Sequence, residues 1–219
     1  GFSPDRSVQP LAAMRNLLKK SWNTGVRVPP VKWLMLSVLL LSSVGFYVFY
    51  ALQPYLLQLY GDTSAYMIAG LAAALVAVAQ MLGGIMAGRV NKLFTNRSST
   101  LMFLGGISSV LLVAMYMIDS FFVALAVVFV WGLTFAAVLP IRQTYLNGMI
   151  AKSERATVLS FDSMVGNVGG IAVQPALART ADVWSYGTSF AICAVLQLLA
   201  LPMLWRSRSF RHVADKNAR

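Results

Sequence analysis

The chain carries one cysteine and one histidine in 219 residues, and only seven acidic side chains against 18 lysines and arginines. A lone cysteine, Cys193, excludes an intrachain disulfide. Sitting inside an apolar run, it reads as a small packing residue rather than a reactive thiol. A lone histidine, His212, leaves no basis for a His/Cys metal cluster or a Ser-His-Asp site. No G-x-x-x-x-G-K-S/T loop is present, so nucleotide hydrolysis is not expected of this chain. No signal-peptide pattern follows Gly1, and the chain reads as a fragment or a processed product. Charge of either sign is scarce at 11%, whereas 58% of residues are hydrophobic. With a mean hydropathy of +0.69, this is not the profile of an ordinary soluble domain.

What the sequence does have is six apolar runs, each able to cross about 30 Å of hydrocarbon at about 20 residues. They lie near Trp33–Leu59, Tyr66–Gly88, Thr100–Ile118, Phe121–Leu139, Ala156–Ala178 and Tyr186–Trp205. Breaks fall at Gly61–Thr63, Arg89–Ser99, Asp119-Ser120, Pro140–Arg155 and Arg179–Ser185, with the turn of the fourth break at Ile150–Glu154. The expected fold is all-α, a polytopic six-helix membrane bundle, and connections this short lead neighbouring helices to run antiparallel and to touch. Residues 1–30 form a linker in which Pro10–Trp22 is amphipathic. Leu11, Met14, Leu18 and Trp22 share one side and Arg15, Lys19 and Lys20 lie elsewhere, as suits a membrane surface. Residues 31–205 are the bundle and 206–219 a basic tail.

Seventeen of the 18 basic residues fall on one side of this topology, and only Arg179 on the other. The positive-inside rule then places both termini in the cytoplasm, in a cytoplasmic (inner) membrane. The net charge of +11 is topology, not a nucleic-acid footprint. On this orientation the sequon Asn96-Arg97-Ser98 carries no glycan.

Polar residues inside the runs are few and patterned. Ser43, Phe46, Tyr47, Tyr50, Gln53 and Pro54 fall within about a 100° sector of the first span. Ser160, Ser163, Asn167, Gly170 and Gln174 share one face of the fifth. Gln80 stands alone among the small residues Gly70, Ala73, Ala77, Gly84 and Ala87 of the second, and Trp131, Gly132 and Thr134 mark the fourth. Any one of these is explained by interhelix packing; together they point to a cavity or water-filled path. The third and sixth spans read as supporting, lipid-facing helices. Pro54 and Pro140 are expected to kink the first span and end the fourth. Asp162 is the only acid well inside a span, and on a helix it lies about 120° from the Ser163-Asn167-Gln174 stripe. A gating or structural ion pair with Arg142, or with Arg89, Arg97 or Arg155 nearby, is the favoured reading; proton coupling is the alternative.

The six spans, the run RATVLSFDSMVGNVGG…QPALARTADVW and the segment PIRQTYLN resemble the C-terminal half of bacterial major facilitator superfamily transporters. Gly84–Arg89 and Lys92 stand where that family has a degenerate second copy of its G-x-x-x-D-R-x-G-R-K loop. Here Gly88 replaces the acid and Asn91 the second glycine. The resemblance implies two inverted three-helix repeats, with the first, second, fourth and fifth helices lining a central path. Gly83-Gly84 and Gly169-Gly170 sit on equivalent helices of those repeats. It also implies partners: lipid, a preceding six-helix half, a small-molecule solute and protons, with no cofactor. The function expected is half of a secondary transporter moving a small organic solute by alternating access, with proton-coupled efflux or antiport as the finer form. The alternatives are a self-sufficient six-span homodimeric transporter and a structural or assembly subunit. An intramembrane enzyme would need more than one buried acid.

Overall fold

A computed structural model describes residues 28–217; the amphipathic stretch Pro10–Trp22 lies outside the described residues. Among the described residues, six helices are long and apolar enough to cross a membrane. Pro29 and Pro30 open α1 (Pro29–Tyr60), where a missing N–H costs nothing. Gly61 closes it at φ 86°, its N–H bonded to Leu57 O and Gln58 O. In the turn that follows, Asp62 accepts from the N–H and hydroxyl of Ser64, which hold its carboxyl below the usual range. Then come α2 (Tyr66–Lys92), α3 (Arg97–Met117) and α4 (Phe121–Met149). A 3-10 turn, Lys152–Glu154, leads into α5 (Arg155–Val183). The last long helix, α6 (Tyr186–Ser209), is capped by Ser185, whose hydroxyl accepts from the Thr188 N–H.

Five of the six spans run further than expected, α4 and α5 furthest at their C-terminal ends. Pro140 does not end α4, which continues to Met149, and α5 passes through Pro175 and on to Val183 instead of stopping at Ala178. The turn at Ile150–Glu154 is where expected. A proline deletes one backbone bond, but a continuous buried face holds α4 together beyond it: Ile141, Arg142, Tyr145, Leu146 and Met149 are all buried. In a bundle such packing outweighs a single lost donor.

The expectation that chain neighbours pack on one another is met only in part. The main seams are α2 on α4, α3 on α6, α1 on both α5 and α6, and α3 on α4, whereas α1 hardly meets α2 and α2 hardly meets α3. Small residues choose the partners, because they let backbones approach. A side chain at Gly83 would run into the backbone of Leu133 on α4; one at Gly169 would meet Leu39 O and, at 2.8 Å, Ser43 Oγ on α1. Exchanging the first three helices with the last three turns the α2·α4 seam into α5·α1, and Gly83 against Leu133 into Gly169 against Leu39. The contact pattern thus repeats in two three-helix sets.

The interior falls into two apolar clusters. One contains Tyr55, Leu112, Met115, Trp131, Phe190 and Cys193; the other, at the end carrying the α2–α3 and α4–α5 turns, contains Leu34, Leu101, Tyr145, Leu146 and Leu204. Cys193 is buried, as its apolar setting implies. The sixth helix is not merely a lipid-facing support. It brings Ser189, Gln197 and Ser207 into the interior, bonded to Tyr47 (2.6 Å), Ser108 (3.3 Å) and Tyr145 (3.1 Å). Its outer face keeps Val195, Leu198 and Leu199 exposed.

Beyond α6 the chain turns back on itself. Arg211 takes φ 49°, and a 3-10 turn, Val213–Asp215, seats Asp215 at the start of α3. There its carboxylate accepts from the Ser98 N–H (2.8 Å) and hydroxyl (2.7 Å). Arg97 donates to Ala214 O and Lys216 O, and Asn217 donates to Asn91 O and Phe94 O. The basic tail is therefore built onto the bundle end.

Candidate functional site

Because α1 and α2 barely touch, a cleft of about 320 Å³ opens between them. Tyr50, Gln53 and Leu56 form one wall and Ala73, Ala77 and Gln80 the other. Small side chains on α2 leave this space; a larger residue at Ala73 or Ala77 would fill it. A second cleft, of about 450 Å³, lies between α1 and α5, lined by Tyr50, Pro54, Gln174, Pro175 and Asp182. Tyr50 stands on the ridge between the two and is 70% exposed.

Gly170 brings the two polar stripes together. Its missing side chain leaves room for the Phe46 ring and the Gln174 amide, which lie 3.3 and 2.9 Å from where a Cβ would be. Phe46 and Gln53 are exposed on α1, and Ser163 and Asn167 on α5. Gln174 and Gln80 are half-buried at the cleft walls. The exposed sector of α5 also holds Met164, Val168 and Ile171, so its polar stripe has an apolar border.

Three of the expected path residues turn inward instead. Tyr47 contributes an edge to the second cleft, but it is only 6% exposed and its hydroxyl donates to Ser189 in the core. Trp131 is 1% exposed and stacks on Phe135 at 5.0 Å between ring centroids. Thr134 is buried and donates to Trp131 O at 2.8 Å. The physical reason lies in the seams: α6 packs on the inner edge of α1, and α2 and α3 pack on α4. Spacing along one helix does not reveal which edge of a polar sector a neighbour will cover.

Asp162 has the partner expected of it. Arg142 on α4 donates from both terminal nitrogens to both Asp162 oxygens, each at 2.6 Å, and also to Leu34 O on α1 at 3.2 Å. Both side chains are buried. The fork of the guanidinium matches a carboxylate, and so a charge that would be costly alone is neutralised in place. The pair points away from the Ser163-Asn167-Gln174 stripe. Arg89 is exposed, Arg155 is half-buried and Arg97 is committed to the tail; among the described residues Asp162 has no second ion-pair partner. Sequence reasoning missed Gln197, Tyr145, Ser189 and Ser207. Single polar residues in apolar runs were their only signal.

The arrangement is a bundle in which Tyr47 and Ser189, Ser108 and Gln197, Tyr145 and Ser207, and Arg142 and Asp162 pair across helices in the interior. The buried Trp131 indole N–H has no partner among the described residues, and one face keeps polar and aromatic side chains beside open clefts. Such a face suits contact with a solute or with a second bundle. No curated protein sequence matches the chain. Among solved structures it is similar to the POT family transporter PepTSo, with a TM-score of 0.71 at 14% identity, over 82% of this chain and 37% of that one. It is also similar to a bacterial homolog of the human lysosomal transporter Spinster, inward-facing and unoccupied, with a TM-score of 0.66 at 15% identity. That match covers 100% of this chain and 55% of the other, so the chain spans about half the length or less of these transporters. The family model of the Major Facilitator Superfamily matches residues 34–219. With that match across nearly all of a six-helix membrane bundle, the chain belongs to the Major Facilitator Superfamily.

Proposed function

We propose that this chain forms the C-terminal half of a secondary transporter that carries a small organic solute by alternating access, with both termini in the cytoplasm. The observation that carries the reading is the polar and aromatic face around Tyr50, set between two clefts, on a bundle that pairs Tyr47, Ser108 and Tyr145 with polar groups of α6 in its interior. A second six-helix half, docked against the face of α1, α2, α4 and α5, would close these clefts into a central path. Phe46, Tyr50, Gln53, Gln80, Ser163, Asn167 and Gln174 would line it. An amphipathic wall of this kind suits an organic solute with both apolar and hydrogen-bonding parts.

The proposed drive is a proton gradient, with export the proposed direction. Asp162 is engaged by Arg142 and serves in this reading as a structural or gating charge, so the coupling carboxylate would come from the other half.

The test starts with the chain joined to the half encoded upstream. A solute panel is screened for thermal stabilisation of the purified protein, and a hit is followed by counterflow exchange in proteoliposomes. Tyr50→Ala, Gln53→Ala and Gln174→Ala should weaken exchange while Val195→Ala, on the outer face of α6, leaves it unchanged. Exchange by the chain alone, as a homodimer, would replace the half-transporter reading.

A further inference from the structure

Where α6 ends, the returning tail borders an open-sided pocket of about 580 Å³ lined by Trp205, Arg208, Arg211, His212 and Lys216, with Asn96 and Asp215 also in its lining. Three of these side chains are permanent cations, and no carboxylate among the described residues lies within ion-pair distance of them. The one acid in the wall, Asp215, is buried and spends both oxygens on Ser98. His212 accepts the Ala214 N–H at Nδ1 (3.1 Å), which leaves Nε2 as the ring nitrogen able to donate. Arg206 is not part of the set, because it lies over the Phe210 ring at 5.4 Å. The walls come from two stretches of chain, and the hydrogen bonds of Arg97, Ser98 and Asn217 to the tail and the α2–α3 turn hold those stretches together.

We propose that this pocket binds a phosphate-bearing anion, and that its occupant is the head group of an anionic phospholipid from the leaflet at the basic end of the bundle. The charge argument is direct: guanidinium and ammonium groups with no internal acid to pair them are matched by phosphate oxygens, which guanidinium can hold two at a time. The choice of a lipid over a soluble phosphate rests on position. The pocket sits at the end of a membrane-spanning helix, and Trp205, 60% exposed in the last turns of α6, is the side chain that favours the headgroup layer. From there the exposed Leu198, two turns earlier on the same face of α6, leads toward the bilayer interior as a contact for an acyl chain. Basic clusters at such helix ends hold anionic head groups.

Native mass spectrometry of the full transporter in detergent tests this, with phosphatidylglycerol and phosphatidylcholine of matched chains titrated separately. Phosphatidylglycerol should be retained preferentially. R208Q/R211Q/K216Q should lower its affinity roughly a hundredfold. The equal-charge control K32Q/K92Q/K152Q, at exposed sites elsewhere, should keep it within a fewfold. Equal retention of the two lipids, or equal loss in both triple variants, overturns the site. Displacement of the lipid by millimolar inorganic phosphate overturns its assignment to lipid. One arm needs no variant: a photoactivatable phosphatidylglycerol in membranes carrying the wild-type protein should crosslink within residues 205–216. Crosslinks confined to other segments overturn the proposal.

Discussion

Arg142 and Asp162, on α4 and α5, meet as a two-pronged ion pair with both contacts at 2.6 Å, and the same arginine reaches Leu34 O on α1. One guanidinium therefore ties together three helices near the end where the basic turns lie.

The pair should behave as a unit. Asp162→Asn or Arg142→Gln alone leaves an unmatched buried charge or breaks the fork, and is expected to cost about 3–5 kcal/mol. The double replacement Arg142→Met/Asp162→Leu should recover most of that loss. Thermal unfolding in detergent reads the cycle; a double variant no more stable than the worse single one would mean that the contact is not energetically coupled. Transport by any folded Asp162→Asn protein should still respond to a proton gradient.

Accessibility separates the open face from the core. After Cys193→Ala, cysteines at Tyr50, Gln53, Asn167 and Gln174 should react with small polar thiol reagents. Cysteines at Tyr47 and Thr134 should not, because those positions are buried against α6 and within α4. Uniform reactivity across both groups would contradict the seams described above.

Adjacent glycines should respond oppositely. Gly83→Ala and Gly169→Ala force backbones apart and are expected to destabilise by about 1–3 kcal/mol, on the scale of overpacking. Gly84→Ala, where no atom lies within 4 Å of the added methyl, should be neutral or should stabilise by about 1 kcal/mol, the helix-propensity difference. Melting curves of the variants side by side decide this. A tolerated Gly169→Ala would refute the close approach to Leu39.

Membrane orientation follows from the distribution of basic residues. Cysteines at Thr63 and Asp119 should label from outside intact cells, and cysteines at Ser153 and Ser209 only after permeabilisation. Labelling of Ser153 from outside would reverse the proposed topology. Ser98 is a poor reporter, because the tail buries it completely.

Much of this architecture is legible in the sequence. Hydropathy marks spans reliably because lipid leaves a backbone no option but to satisfy itself within a helix. Asp162 and Arg142 could be matched because few charges are available at their level of the bundle, and the helical angle of Asp162 already set it apart from the Asn167 stripe. What sequence could not resolve depends on contacts distant along the chain. The continuation of α4 past Pro140 rests on what Tyr145 and Leu146 bury against. The inward turn of Tyr47 depends on Ser189, 142 positions away. The seating of Asp215 at Ser98 joins segments that carry no shared periodicity.

The seams also constrain the order in which the protein can be assembled. Helix α1 has its chief partners in α5 and α6, and α2 has its own in α4. A ribosome delivers α1 and α2 before α4, α5 and α6, when the surfaces of this bundle that will cover them have not yet been made. The α1–α2 segment must therefore wait in lipid, with the bare backbone at Gly83 and the Leu39 carbonyl that will face Gly169 still uncovered. Only when α4 and then α5 arrive can these grooves fill, so α1, made before its partners, is among the last of these six helices to be enclosed. During that interval the helical segments are held by bilayer and insertion machinery rather than by each other, and a stalled or shortened chain would present its glycine grooves to whatever surveys unfinished membrane proteins.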